Sequence, residues 1–156
     1  MNRLCCFDRG GLLEPKLFDR FATELSECLR RRAAHFFGER QRVIDGVEAW
    51  RRGDLTRFGE LMSASGESSI RNYECGTPEL VTLYELLRET PGVYGARFSG
   101  AGFGGSCVAL ADPAAGEEIA DAVSRGYAAA HPDAAANAGC HLCTPAGAAR
   151  FVDGYR

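Results

Sequence analysis

Lysine is almost missing from this 156-residue chain: Lys16 stands alone, so 17 of the 18 basic residues are arginine. That scarcity excludes a Walker phosphate loop, whose lysine reaches the β- and γ-phosphates. An excess of positive charge is missing too. The formal charge is −3 and the pI about 5.6, which argues against a nucleic-acid binder, because phosphate contacts need a basic face. The arginine bias, beside abundant alanine, reads as a GC-rich coding sequence rather than phosphate recognition. No apolar run approaches the roughly 20 residues that span a bilayer, and Met1–Phe7 is too short for a secretory apolar region of about 7–15 residues. The expectation is a soluble, cytoplasmic protein with no membrane partner. Regular cysteine spacing is also lacking: Cys5, Cys6, Cys28, Cys75, Cys107, Cys140 and Cys143 make an odd set, and reduced, buried thiols are expected. What is present, 46% hydrophobic and 25% charged residues, suits one domain able to build a core without disulfides.

Residues 1–14 show no clean period and read as a lead-in, with 15–156 as the domain. From Pro15 the pattern turns helical. Leu17, Phe18, Phe21, Leu25, Cys28, Leu29, Phe36, Val43, Val47 and Trp50 recur at steps of three and four, the stripe of one long amphipathic helix that Gly38 and Gly46 could bend. Gly53-Asp54 then ends one helix and caps the next, which runs from Leu55 through Met62, so the two form an antiparallel hairpin. Ser68–Gly76 lacks a helical stripe and reads as an ordered connection. Thr77-Pro78-Glu79 opens a third helix, with a capping hydroxyl, proline in the first turn and an acid near the helix N-terminus. Beyond Pro91-Gly92, two strands follow, Val93–Phe98 and Ser106–Ala111. Asp112-Pro113 starts a helix carrying Ile119, Val123 and Tyr127, and Cys140–Cys143 reads as a last strand. This order predicts an α+β domain: a helical hairpin plus a small, mainly antiparallel sheet backed by helices.

The most informative stretch joins the two strands: Ser99-Gly100-Ala101-Gly102-Phe103-Gly104-Gly105-Ser106. Gly100, Gly102 and Gly105 satisfy the G-x-G-x-x-G spacing, yet that fingerprint must lead from a strand into a helix, and here it leads into a strand. A tight hairpin needs one or two glycines. Four in six residues leave two readings open, a turn or a backbone surface that a ligand or partner approaches closely.

Phe98-Ser99-Gly100-Ala101-Gly102-Phe103-Gly104-Gly105-Ser106-Cys107 resembles the third conserved motif of the GHMP kinases, the galactokinase and mevalonate kinase superfamily. Leu29–Phe37, Gly46–Trp50, Gly53–Leu55, Phe58–Met62 and Pro91–Arg97 are similar to the C-terminal half of galactokinases. Ser63-Ala64-Ser65-Gly66 and Asn72-Tyr73-Glu74-Cys75-Gly76 are closer to the galacturonate kinase branch. The resemblance covers about residues 28–151. It implies a ferredoxin-like C-terminal kinase domain, and ATP with Mg2+ as the cofactors of the assembled enzyme, which phosphorylates the anomeric hydroxyl of galactose or a uronic acid. Gly100, Ala101, Gly102, Phe103, Gly104 and Gly105 would form the loop that lies against the phosphates and the sugar. The sugar-recognising first motif, the P-x-x-x-G-L-x-S-S phosphate loop and the residues of chemistry belong to the family's N-terminal domain and do not occur in these 156 residues. Ser65-Gly66-Glu67-Ser68-Ser69 lacks the preceding Pro-x-x-x-Gly. No catalytic residue is therefore assigned, the partner implied is an N-terminal kinase half in cis or in trans, and the chain alone is expected to be inactive. The alternative is a non-catalytic binding or regulatory module of the same fold.

Other residues divide between chemistry and packing. Tyr73 and Arg97 are candidate sugar contacts, and Arg71 or Arg97 could meet a phosphate or uronate carboxylate, for which a guanidinium fork is well shaped; packing and surface ion pairs are the competing readings. Arg30-Arg31-Arg32 reads as a solvated face. Cys140-His141-Leu142-Cys143 has zinc or redox spacing, but four ligands are wanted and no second pair exists, so a strand with alternating Cys and Leu inward is expected and no metal is assigned. His35, His131 and His141 have no sequence context that pairs them with a reactive thiol.

Overall fold

The computed structural model describes residues 15–145; the lead-in at 1–14 and the stretch 146–156 lie outside them. The predicted long helix is two. α1 spans Pro15–Phe21 and α2 spans Glu27–Arg51. The break falls at neither Gly38 nor Gly46 but at Leu25-Ser26, where Leu25 turns extended and the Ser26 hydroxyl accepts from the Leu29 amide. A side chain that can cap ends the periodicity more decisively than a glycine, which a helix tolerates at a cost of about 1 kcal/mol.

The hairpin forms as the residues dictate. Gly53 takes φ +69°, the Asp54 carboxylate accepts from the Arg57 amide at 2.9 Å, and α3 runs Leu55–Ser68. The rings of Trp50 and Phe58, 5.1 Å apart, close the two helices near the turn. The expected connection at Ser68–Gly76 is instead largely helical: α3 passes into a π-helical turn, Ser69–Tyr73, which stops at Glu74 in the left-handed region. Thr77 caps α4, Pro78–Glu89, as predicted.

β1 (Val93–Ser99) and β2 (Ser106–Ala111) pair antiparallel from Ser99 opposite Ser106 to Val93 opposite Ala111, with an irregularity between Val93 and Gly95. α3 crosses β1 there, backbone against backbone. A Cβ on Gly95 would strike the Gly59 carbonyl, and one on Gly59 would strike Tyr94, so this contact explains both glycines. The outer side of β1 is closed by α3, whose Ser63 hydroxyl accepts from the Ala96 amide at 3.3 Å. α5 (Gly116–Ala130) and the short α6 (Pro132–Ala135) follow. The core lies between α4, α5 and the sheet: Leu80, Tyr84, Leu87, Ala96, Phe98, Ile119 and Val123 are buried together. This is the expected α+β arrangement, with one further correction. Cys140–Cys143 is irregular rather than a strand, and both cysteines are exposed, with Leu142 beside Gly116 and no strand pairing among the described residues.

Candidate functional site

The glycine loop is defined by backbone conformation. Gly100, Gly102, Gly104 and Gly105 all have φ between +82° and +119°, a region that side-chain-bearing residues rarely occupy. Gly102 alone is buried; a Cβ there would press on Phe98, on Cys75 Sγ and on the Gly76 amide, whereas at Gly100, Gly104 and Gly105 nothing lies within 4 Å. Ala101 is exposed and Phe103 is 73% exposed. The loop is thus pinned at its centre, where the Gly102 carbonyl accepts from the Thr77 amide at 3.1 Å, and is open on both sides of that point.

The pin connects the loop to the turn before α4. There the charge run on α2 has a use that a solvated face would not. Arg31 and Arg32 each place a guanidinium nitrogen 2.6 Å from a different oxygen of Glu74. Glu74 is the sole non-glycine residue with positive φ among those described, so the fork holds a conformation the backbone resists. Hydrogen bonds from Arg32 and Arg31 keep the Glu74 carboxyl below the ordinary carboxylate range. Arg32 also lies 5.3 Å from the Tyr73 ring centre, and that ring packs on His35 at 5.1 Å. Tyr73 is half exposed, tethered but accessible.

Between α2 and α3 runs a polar seam. His35 Nδ1 meets the Ser68 hydroxyl at 3.0 Å, and Ser68 also accepts from Asn72 Nδ2 at 3.1 Å. One turn along α2, Glu39 accepts from the buried Ser65 hydroxyl at 2.8 Å and from Arg42 Nε at 2.6 Å. Burial pushes His35 below its ordinary value, with the Arg42 and Arg97 charges acting the same way and Glu39 opposing them. For Glu39, burial acts upward, but hydrogen bonds from Ser65 and Arg42 outweigh it and the carboxyl is lowered. Beside this seam an open groove of about 480 Å³ is lined by Val43, Val47, Trp50, Phe58 and Arg97.

Of the two candidate sugar contacts, Tyr73 packs tilted against His35, and the Arg97 charge helps lower the same imidazole. Arg97 donates from Nε to the Phe98 carbonyl at 3.3 Å. Arg71 instead lies in an exposed pair with Glu67. Sequence reasoning missed the Glu74 fork and the His35–Glu39–Arg42 seam. The seam's signal was available: polar groups at steps of four and three on α2, facing Ser65 and Ser68 three apart on α3. Among the described residues no group of three or more histidine, cysteine, aspartate or glutamate side chains could hold a metal ion, and no helix is long and apolar enough to cross a membrane.

Residues 47–129 match the family model described as GHMP kinases C terminal. A galacturonokinase of Arabidopsis thaliana is 50% identical over 125 residues, covering 80% of this chain and 30% of the relative. A galactokinase of Bos taurus is 42% identical over 97 residues, 62% of this chain and 25% of the relative. Among solved structures, Lactococcus lactis galactokinase complexed with galactose superposes with a TM-score of 0.72 at 37% identity, covering 77% of this chain and 31% of that one. The chain spans less than a third of the length of each of these three proteins.

Proposed function

On the premise that this chain belongs to the GHMP kinases as their C-terminal domain, we propose that it supplies one wall of a sugar-kinase site. In this reading the site transfers the γ-phosphoryl of ATP to the anomeric hydroxyl of galactose or a uronic acid, and an N-terminal kinase half, in cis or in trans, supplies the phosphate loop and the residues of chemistry. The observation that carries the reading is the loop itself. Gly100, Gly104 and Gly105 hold positive φ with open space where a side chain would stand, so Gly100, Ala101, Phe103, Gly104 and Gly105 can present backbone amides to a phosphate or a sugar, and Gly102 fixes where they stand. Such fixed donors are what phosphoryl transfer uses to stabilise charge.

Tyr73, half exposed and braced by Arg32 and His35, is placed to give a sugar either a ring face or a hydroxyl. In this reading Arg97 receives an anion: among the described residues no carboxylate pairs with it. That favours a uronic acid over galactose, as does the 50% identity to a galacturonokinase. The loop fits the nucleotide's phosphates; the described residues offer no donor set for Mg2+, whose ligands would come from the other half and the phosphates.

The test is ATP-dependent phosphorylation of galacturonate, glucuronate and galactose by the chain alone and by the chain combined with an N-terminal kinase segment. Activity is expected only in the combination, with galacturonate preferred. Failure of every combination, with both parts folded, leaves the non-catalytic module as the reading.

A further inference from the structure

Glu74, at φ 60° and ψ 41°, ends the π-helical turn in the left-handed region, which a side chain resists and glycine enters freely. A conformation of this kind persists only where its surroundings over-determine it, and it concentrates at functional sites. Here the surroundings are two consecutive arginines of α2, one on each carboxylate oxygen. The Glu74 side chain is 42% exposed, and ion pairs so exposed add little to stability. A glycine at this position would relieve the backbone altogether, so the carboxylate has a use other than stability. Arg32 also donates to the Asn72 carbonyl, so one guanidinium grips the residues on both sides of Tyr73. On the far side of Glu74, Cys75 is buried under Gly102, and the Thr77 amide donates to the Gly102 carbonyl. Among the described residues that is the one backbone hydrogen bond tying residues 100–105 to another element.

We propose that the fork of Arg31 and Arg32 on Glu74 is a latch that sets where the glycine loop stands. Glu74 is then a positioning residue: it touches no ligand and acts through Cys75, Gly76 and Thr77 on Gly102. With the fork open, residue 74 returns to the right-handed region, the chain leaves it in another direction, and the Thr77 amide is drawn from Gly102. The loop amides lose their fixed placement, and where charge is stabilised by fixed donors, a displacement of this kind lowers turnover more than ground-state binding. The catalytic consequence rests on the kinase reading above; the latch itself can be broken and read in this chain alone.

The test is amide hydrogen exchange at Thr77, followed by NMR, with Leu87 inside α4 reporting global opening. Glu74→Ala is expected to speed exchange at Thr77 about tenfold or more while Leu87 stays within about threefold, and to move the amide resonances of Gly100, Gly104 and Gly105. Arg31→Gln, which leaves residue 74 in place, should move the same resonances in the same direction. Glu74→Gly, which enters the left-handed region without a fork, should recover about threefold or more of the lost protection. Unmoved loop resonances, or Thr77 and Leu87 accelerating together, make the fork a merely stabilising pair and overturn the proposal. A Glu74→Gly chain as disturbed as Glu74→Ala also overturns it, because the effect would not run through the backbone. Should Glu74→Ala fail to fold, Arg31→Gln decides by the same comparison. Turnover is then read with an N-terminal kinase segment, the part of the Arabidopsis galacturonokinase that precedes its matched stretch. Glu74→Ala is expected to lower kcat about tenfold or more with the KM for ATP within about threefold, and an unchanged kcat overturns the positioning role. No phosphorylation by the unaltered chain overturns the kinase reading instead, and the exchange comparison still decides the latch.

Discussion

The two sides of β1 are built on different principles. Toward α4 and α5, Phe98, Tyr84, Ile119 and Val123 interlock, and Tyr84 is 2% exposed with its hydroxyl donating to the Ser63 carbonyl at 2.7 Å. Toward α3 and α2, the Trp50–Phe58 ring pair is joined by hydrogen bonds among His35, Glu39, Arg42, Ser65, Ser68 and Asn72, while Val43, Val47 and Trp50 stay exposed. The first side needs nothing further to be stable. The second aligns a helix without covering it.

Substitutions should separate the two sides sharply. One of the two largest effects falls where α3 meets β1: Gly95→Ala places a methyl group into the Gly59 carbonyl, and in urea unfolding it is expected to cost about 3 kcal/mol or more, at the upper end of overpacking. Phe98→Ala, deep on the packed side, should cost about 3–5 kcal/mol if the chain still folds, whereas Val43→Ala on the open side should stay within about 0.5 kcal/mol. Equal costs for these two would dissolve the contrast. Glu39→Ala strands the Ser65 hydroxyl and the Arg42 guanidinium, and about 1–2 kcal/mol is expected.

Acid should act on the polar side first. His35 and Glu39 are both lowered in the folded state, so below the ordinary values of 6.5 for His35 and 4.5 for Glu39 the unfolded chain takes up protons that the folded chain refuses. Stability is therefore present above those values and lost as pH falls through the lower, folded ones. Melting temperature should begin to drop just below pH 6.5, and His35→Gln should remove that first phase. The smallest effect is chemical: burial raises Cys107 to about 12 and pushes Cys75 up as well, so maleimide should label the exposed Cys28, Cys140 and Cys143 well before either.

Local rules carried much of the fold. Gly53-Asp54, Thr77-Pro78 and Asp112-Pro113 announce helix boundaries through chemistry within three residues of each other, and the strands flanking the glycine loop were readable for the same reason. The break at Ser26 was obscured by apolar spacing that continues across it, and the helical character of Ser68–Tyr73 by serines that satisfy one another across two helices. Nothing local revealed that Arg31 and Arg32 would meet Glu74 more than forty positions away, or that Gly59 and Gly95 need each other. The loop was visible as composition; its central pin was not, because a carbonyl-to-amide contact leaves no trace in residue type beyond the glycine itself.

That pin has a kinetic consequence. A span from Gly100 to Gly105 held only at its ends would explore its conformations as one unit, and closing it on a ligand would mean fixing six residues together, at about 1–2 kcal/mol of backbone entropy each. Fastened at Gly102, it becomes two short tethers on a common post, with part of that ordering already complete before any ligand arrives. Each tether can order without waiting for the other.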